Sequence, residues 1–269
     1  MRSRPIWATL GRFPGPPSVI IYDYPLNEQI RIFLRLKALF RRAFYFIERE
    51  EAWDHHAALM TVFEILDVTA RADVKSDLLQ SLERQRLALT PLRNNPNVSQ
   101  ESLEKALSDL ETAAYDLHGS KGKFGEQLRN HEWLMAIKQR SGIPGGMCDF
   151  DLPAYHYWLS LGREARRSQL NEWVAPMLST YRALRVHVTL LLESGKAQEF
   201  QATRGLFQQT KVGPDVRLLR VALDSGRACV PEISANKYLL NIRFLEAGET
   251  ARFKVCAEDI PFTLIFCSL

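Results

Sequence analysis

The chain is poor in the features that reactive or membrane-embedded proteins rely on. Its 269 residues include four cysteines, Cys148, Cys229, Cys256 and Cys267, and none stands within four residues of another. Zinc-knuckle and Cys-x-x-Cys redox spacings are thereby excluded, and scattered reduced thiols are the expectation. No apolar run reaches the roughly 18 residues of a membrane span. The opening Met1-Arg-Ser-Arg4 has cations but no apolar stretch of signal-peptide length. Nothing repeats at a period of roughly 20 to 50 residues, which excludes a solenoid. Neither sign of charge dominates: 35 Lys and Arg against 31 Asp and Glu leave a net charge of +4 and a pI near 8.9. That excess can steer an acidic partner but is far from a histone-like tail.

What is present is globular. Hydrophobic residues make up 46% and charged residues 25%, both ordinary values. A chain of this length buries roughly 75% of its unfolded surface, so neither metals nor disulfides are needed for stability. Residues 1–17, ending in Pro14-Gly-Pro-Pro17, read as a flexible tail.

Periodicity divides the remainder in two. Asn27 is a good N-cap, and Ile30, Phe33, Phe40, Phe44 and Ile47 follow at helical spacing beside a second stripe of Ile32, Leu36, Leu39, Ala43 and Phe46. Arg35, Arg42 and Arg49, one heptad apart, form a basic ridge on this helix. Asp54 is placed as the cap of a second helix, Asp73 marks the start of a third, and Ser99 that of a fourth. A short turn makes the second and third helices expected neighbours. Further helices are predicted over 132–140, 152–161, 164–173 and 177–193. After Gly195 the period shortens, with β-type runs at 217–223, 238–244, 252–256 and 261–266 separated by turn clusters. They predict an antiparallel meander of five or six strands. The expected fold is therefore α+β: an N-terminal α-helical bundle domain over 18–194, followed by a C-terminal antiparallel β-strand domain over 195–269.

The catalytic motifs fail one at a time. Gly119-Ser-Lys-Gly-Lys-Phe124 echoes a phosphate loop, but Leu117 stands where its first Gly belongs and Phe124 where a Mg²⁺-binding hydroxyl belongs. Adjacent His55 and His56 lack the spacing that puts two imidazoles on one helical face, and are expected to be solvated. Cys148, Asp149, Asp151 and His156 lie close in sequence, but a thiolate nucleophile also needs a base in hydrogen-bond reach and an oxyanion site. The plainer expectation is that Gly145-Gly146 makes a turn, that Asp151 caps the next helix, and that Phe150 and Trp158 serve the core or a dimer contact. No enzyme and no cofactor is expected.

Four stretches together resemble the cell division protein ZapD family (Z-ring-associated protein D). They are Tyr24-Pro-Leu-Asn-Glu28 with Arg31 and Leu34-Arg35; Glu64-Ile-Leu-Asp67 with Arg71 and Asp73; Asp77-Leu-Leu79 with Leu82-Glu-Arg-Gln85; and Ile143-Pro-Gly-Gly146 through Phe150-Asp-Leu-Pro153 to His156 and Trp158-Leu159. Leu218-Leu-Arg220, Pro231-Glu-Ile-Ser234, Lys237 and Ile242-Arg-Phe244 extend the resemblance, which covers about residues 19 to 257. The N-terminal tail and the end after Asp259 depart from it. The resemblance implies a cytoplasmic homodimer, concentrated at the midcell division site, that binds the C-terminal tail of FtsZ, bundles its filaments and promotes Z-ring assembly. Arg31, Arg35, Arg220, Lys237 and Arg243, the cations of the family-like stretches, are the candidate contacts to that tail. The competing expectation from pI and the basic ridge is nucleic-acid binding, although no recognition helix, RNP motif or zinc pattern accompanies it.

Overall fold

The computed structural model describes residues 18–70, 72–120, 122–210, 212–236, 238–247 and 253–269. The expected tail, residues 1–17, lies outside them. Two compact units form, one from residues up to Arg31 with Thr189–Leu269, the other from Ile32–Val188. The fold is α+β, helices first and antiparallel sheets last.

Among the described residues nine α-helices run in order: α1 Glu28–Ile47, α2 Ala52–Val68, α3 Val74–Leu89, α4 Gln100–Gly119, α5 Glu126–Arg129, α6 Glu132–Ser141, α7 Pro153–Ser160, α8 Arg163–Val174 and α9 Leu178–Glu193. Side chains set several starts. Asn27 Oδ1 accepts from the Ile30 amide at 2.8 Å, Asp73 Oδ1 from Ser76 at 3.2 Å and Ser99 Oγ from Ser102 at 3.4 Å, each satisfying an amide that the helix leaves unpaired. Two expected caps are corrected. Asp54 sits inside the first turn of α2, behind Glu51, and Leu152 rather than Asp151 precedes α7. Pro153 at the first helical position fixes that entry without a side-chain cap.

Within the helical unit Phe33, Leu36, Phe40, Ala43, Phe44 and Ile47 of α1 are buried, both stripes contributing. The expected pairing of α2 with α3 gives way to another arrangement: α3 packs chiefly on α4, and α2 on α7 and α8. The reason is the breadth of the apolar surface of α2. Ala58, Leu59, Val62, Phe63, Ile65 and Leu66 are all buried, more than a single neighbour can cover.

Among its described residues the other unit holds eight strands: β1 Val19–Pro25, β2 Lys196–Ala202, β3 Leu206–Thr210, β4 Leu218–Asp224, β5 Cys229–Ala235, β6 Leu239–Ala247, β7 Phe253–Val255 and β8 Ile260–Cys267. They form two sheets rather than the expected single meander. The first has order β1-β4-β8-β2; in the second β3-β6-β5 are neighbours and β7 also pairs β6. Four strands escape the periodicity argument because they are short or largely exposed, Lys196-Ala-Gln-Glu199 of β2 being the clearest case. Alternation explains the core. Leu219, Val221 and Leu223 of β4, Phe262 and Leu264 of β8, and Leu240, Ile242 and Phe244 of β6 share one buried cluster with Ala202, Cys229, Cys256 and Ile260, flanked by Tyr22, Tyr24, Phe200 and Phe207. The second sheet leaves its opposite face largely to polar side chains, whereas that of the first carries fully buried Leu218 and Cys267 beside Arg220 and Asp23.

Candidate functional site

The face of the second sheet turned away from this core forms a concavity. Strand alternation builds it. With Leu240, Ile242 and Phe244 pointing inward, Asn241 and Arg243 of β6 point out; Glu232 and Ser234 of β5 and Leu206 and Gln208 of β3 do the same. Register aligns these into two rows. Leu206 and Glu232 lie on either side of Arg243, and Gln208 and Ser234 on either side of Asn241. With Thr203 they line a groove of about 590 Å³.

The first row offers an apolar side chain, a cation and an anion side by side. Leu206 is 54% exposed, and Arg243 Nε lies 3.3 Å from Glu232 Oε2. The second row offers two amides and a hydroxyl, donors and acceptors alike. Such a floor can meet alternating polar and apolar groups of an extended peptide. The Arg243–Glu232 pair is exposed on both sides, so it contributes little to stability and is free to exchange partners.

The candidate cations do not converge. Arg243 lines the groove. Arg220 projects from the opposite face of the first sheet, where its Nε donates to Asp23 Oδ1 of β1 at 2.7 Å. Arg31, in the first turn of α1, pairs with Glu28 at 3.3 Å and donates to the Pro25 carbonyl at 3.4 Å. Arg35 is exposed one turn further along α1 and belongs to the helical unit. Lys237 lies outside the described residues. Sequence reasoning found Arg243 but missed Leu206, Gln208 and Glu232, because the register that brings them together is a long-range property. The alternation Glu232-Ile-Ser234 was the one local sign.

Elsewhere the reactive-looking residues have structural employment. His55, expected to be solvated, is fully buried. Its Nδ1 accepts from Arg166 Nε at 3.0 Å and its Nε2 lies 3.1 Å from the Arg49 carbonyl. Buried Arg166 also donates to the carbonyls of Leu159, Leu161 and Glu50, fastening the α7–α8 turn to the α1–α2 turn. Burial, and secondarily the Arg166 cation, hold the His55 pKa below its usual value. His56 is half-buried, with Nδ1 2.7 Å from the Tyr155 hydroxyl, and burial lowers its pKa too. In the phosphate-loop-like segment, Glu126 Oε2 already accepts the Lys123 amide at 2.8 Å, where an anion would have to sit. Cys148 and His156 are both exposed, and among the described residues no hydrogen bond joins them. Asp151 instead pairs with Arg140 at 3.8 Å. Trp158 is buried, whereas Phe150 is 79% exposed and so forms no part of the core. Burial raises the thiol pKa values of Cys229, Cys256 and Cys267, that of Cys256 to about 11, which suppresses their reactivity.

Among the described residues no cluster of three or more His, Cys, Asp or Glu could hold a metal ion, and no helix is long and apolar enough to cross a membrane. The fold and the groove define an α+β protein with a strand-floored surface of mixed polar and apolar side chains.

Comparison with known proteins narrows that class. The model of the cell division protein ZapD family matches residues 34–243. The chain is 48% identical over 252 residues to the cell division protein ZapD of Nitrosomonas europaea, covering 94% of this chain and 96% of that one. It is 48% identical over 251 residues to its counterpart in Chromobacterium violaceum, covering 93% and 99%, and 44% identical over 251 residues to that of Cupriavidus necator, covering 93% and 100%. The chain belongs to the ZapD family of cell division proteins.

Proposed function

We propose that this protein is a non-enzymatic cross-linker of FtsZ. As a cytoplasmic homodimer gathered at midcell, it grips the C-terminal tail of FtsZ, bundles the filaments and so promotes Z-ring assembly. Membership of the ZapD family is the observation that carries this reading, and the groove under Arg243 supplies a surface fit for a tail peptide. A two-fold dimer presents two equivalent sites, so weak contacts repeated along two filaments add through avidity. Arg243 contacts an acidic group of the tail in exchange for Glu232, while Lys237, Arg220, Arg31 and Arg35 add longer-range attraction. Screening sets in within about 8 Å at about 0.15 M ionic strength, so bundling weakens as salt rises.

The test is pelleting and electron microscopy of FtsZ with GTP, comparing full-length FtsZ with a tail-deleted form. Bundles that form at low salt and vanish with the tail bear the reading out; none at low salt, with a folded protein, removes it. Arg243→Ala and Lys237→Glu are each expected to weaken tail-peptide binding about fivefold to tenfold, roughly 1 kcal/mol. Equal affinity in both variants and the parent takes the groove out of the mechanism.

A further inference from the structure

We propose that the outer edge of β1 is a self-pairing surface, and that a second copy of this chain adds its own β1 there in antiparallel register. This rests on the homodimer proposed above and says where its contact lies.

The argument begins with the ladder. β1 pairs β4 along its whole length and forms the edge of the first sheet. The Ser225 amide donates to the Ser18 carbonyl at 3.0 Å, and the Leu26 amide to the Arg217 carbonyl at 2.9 Å. In an antiparallel pair, residues alternate between those bonded to the neighbour and those facing away. Even-numbered residues of β1 therefore face β4, and the N–H and C=O of Val19, Ile21 and Asp23 point out of the sheet edge. Pro25, with no N–H, closes that row at its end.

The first half of this edge lacks the charge and proline seen on β2 and β5. Edge strands resist pairing through charge, proline or brevity. β2 carries Lys196 and Glu199, β5 carries Pro231 and Glu232, and β7 has three described residues. β1 instead opens with Val19-Ile-Ile21, three β-branched residues, with Val19 and Ile21 each 45% exposed. Its charge, Asp23, is neutralised within the same copy by Arg220 at 2.7 Å.

The outward row is also complementary to itself. A two-fold axis at Ile21 sets Ile21 against Ile21 of the second copy and Val19 against Asp23, each pair able to exchange both main-chain bonds. Between them Ile20 meets Tyr22, an aliphatic–aromatic cross-strand pair, and no two like charges oppose. The two first sheets become one continuous sheet, and both copies keep the Arg243 groove open on the other sheet.

Light scattering across a dilution series of the full chain tests this against Ile21→Pro, which removes an outward N–H and spares every bond to β4. A folded I21P, judged by circular dichroism and its melting curve, is expected to dimerise at least about tenfold more weakly. Should I21P fail to fold, Ile21→Cys in a Cys148→Ser background decides: oxidised glutathione should convert it to a covalent dimer, since facing residues about 5.5 Å apart suit a disulfide. A folded I21P dimer of parental strength, or an I21C chain that stays monomeric on oxidation while the parent dimerises, overturns the β1 contact but leaves the cross-linker reading standing. A parent that is monomeric at every concentration overturns both. Protection of Ile21→Cys only when FtsZ tail peptide is added would overturn self-pairing and give the edge to the tail.

Discussion

The two units solve the problem of the interior in opposite ways. The β unit encloses a cluster of aliphatic and aromatic side chains with two thiols. Every buried polar or charged residue among those described, His55, Thr61, Thr69, Ser81, Gln85, Arg166, Thr180 and His187, lies in the helical unit. All six histidines of the sequence also fall between Ile32 and Val188. A sheet pairs its own backbone through its ladder, so its core can be left to dispersion and hydrophobic burial. Helices joined by tight turns leave carbonyls stranded at the turns, and these need buried donors such as Arg166. One interior is indifferent to protons and the other is not.

The contrast can be broken from either side. Phe262→Ala, deleting a ring that packs against Phe200, Phe207 and Phe244, is expected to cost about 4 kcal/mol of stability, measured by urea unfolding. Arg166→Ala strands three carbonyls and is expected to cost about 3 kcal/mol. It should also raise the His55 pKa towards normal, which an NMR titration of the imidazole would show; an unmoved His55 would mean that Arg166 acts only as a packing spacer.

Acid sharpens the comparison next. His187 is buried with neither ring nitrogen hydrogen-bonded, its ring edge-on to Phe33 at 5.2 Å, and burial, with a smaller push from Arg84, lowers its pKa to about 4. The unfolded chain takes up that proton near pH 6.5 and the folded one only near 4. Stability is therefore full above about pH 6.5, falls as pH drops between these values, and levels out below; the loss is about 3 kcal/mol, and His55 and His56 add to it with the same sign. Trp53, Trp133, Trp158 and Trp173 lie in the helical unit, so in a Trp7→Phe background, which removes the fifth tryptophan, emission reads that unit selectively. A fluorescence melting point that falls from pH 7 to 5, and falls by less in His187→Phe, is the expected result. The smallest effect is expected at the groove: Leu206→Ala should change stability by less than about 0.5 kcal/mol while weakening tail binding severalfold, measured by calorimetry.

Much of this was legible in the sequence where local chemistry decides structure. The caps at Asn27, Asp73 and Ser99, the stripes of α1, and strands β4, β6 and β8 all follow from side-chain type and spacing. β1, β2, β3 and β5 did not, because their faces are mixed and only pairing makes them strands. The division into two sheets depends on β8 lying between β4 and β2, which no local signal encodes. The same limit applies to the site. Arg243 could be picked out as a cation on a strand, but its neighbours Leu206 and Glu232 come from strands on either side, and their meeting is set by register. His55 misled in the other direction: a histidine near a helix start looks solvated until a distant arginine is brought onto it.

The passage from the first sheet to the second turns on Arg204 and Gly205, consecutive residues with φ of 47° and 69°. Asp259 accepts the Arg204 amide at 2.8 Å, and a Cβ at position 205 would meet the Cys256 carbonyl oxygen at 2.7 Å. Gly205 has neither the room nor the backbone angles for any other residue. In evolutionary terms, codon 205 is a point where drift stops: every missense change there forces the chain away from Cys256.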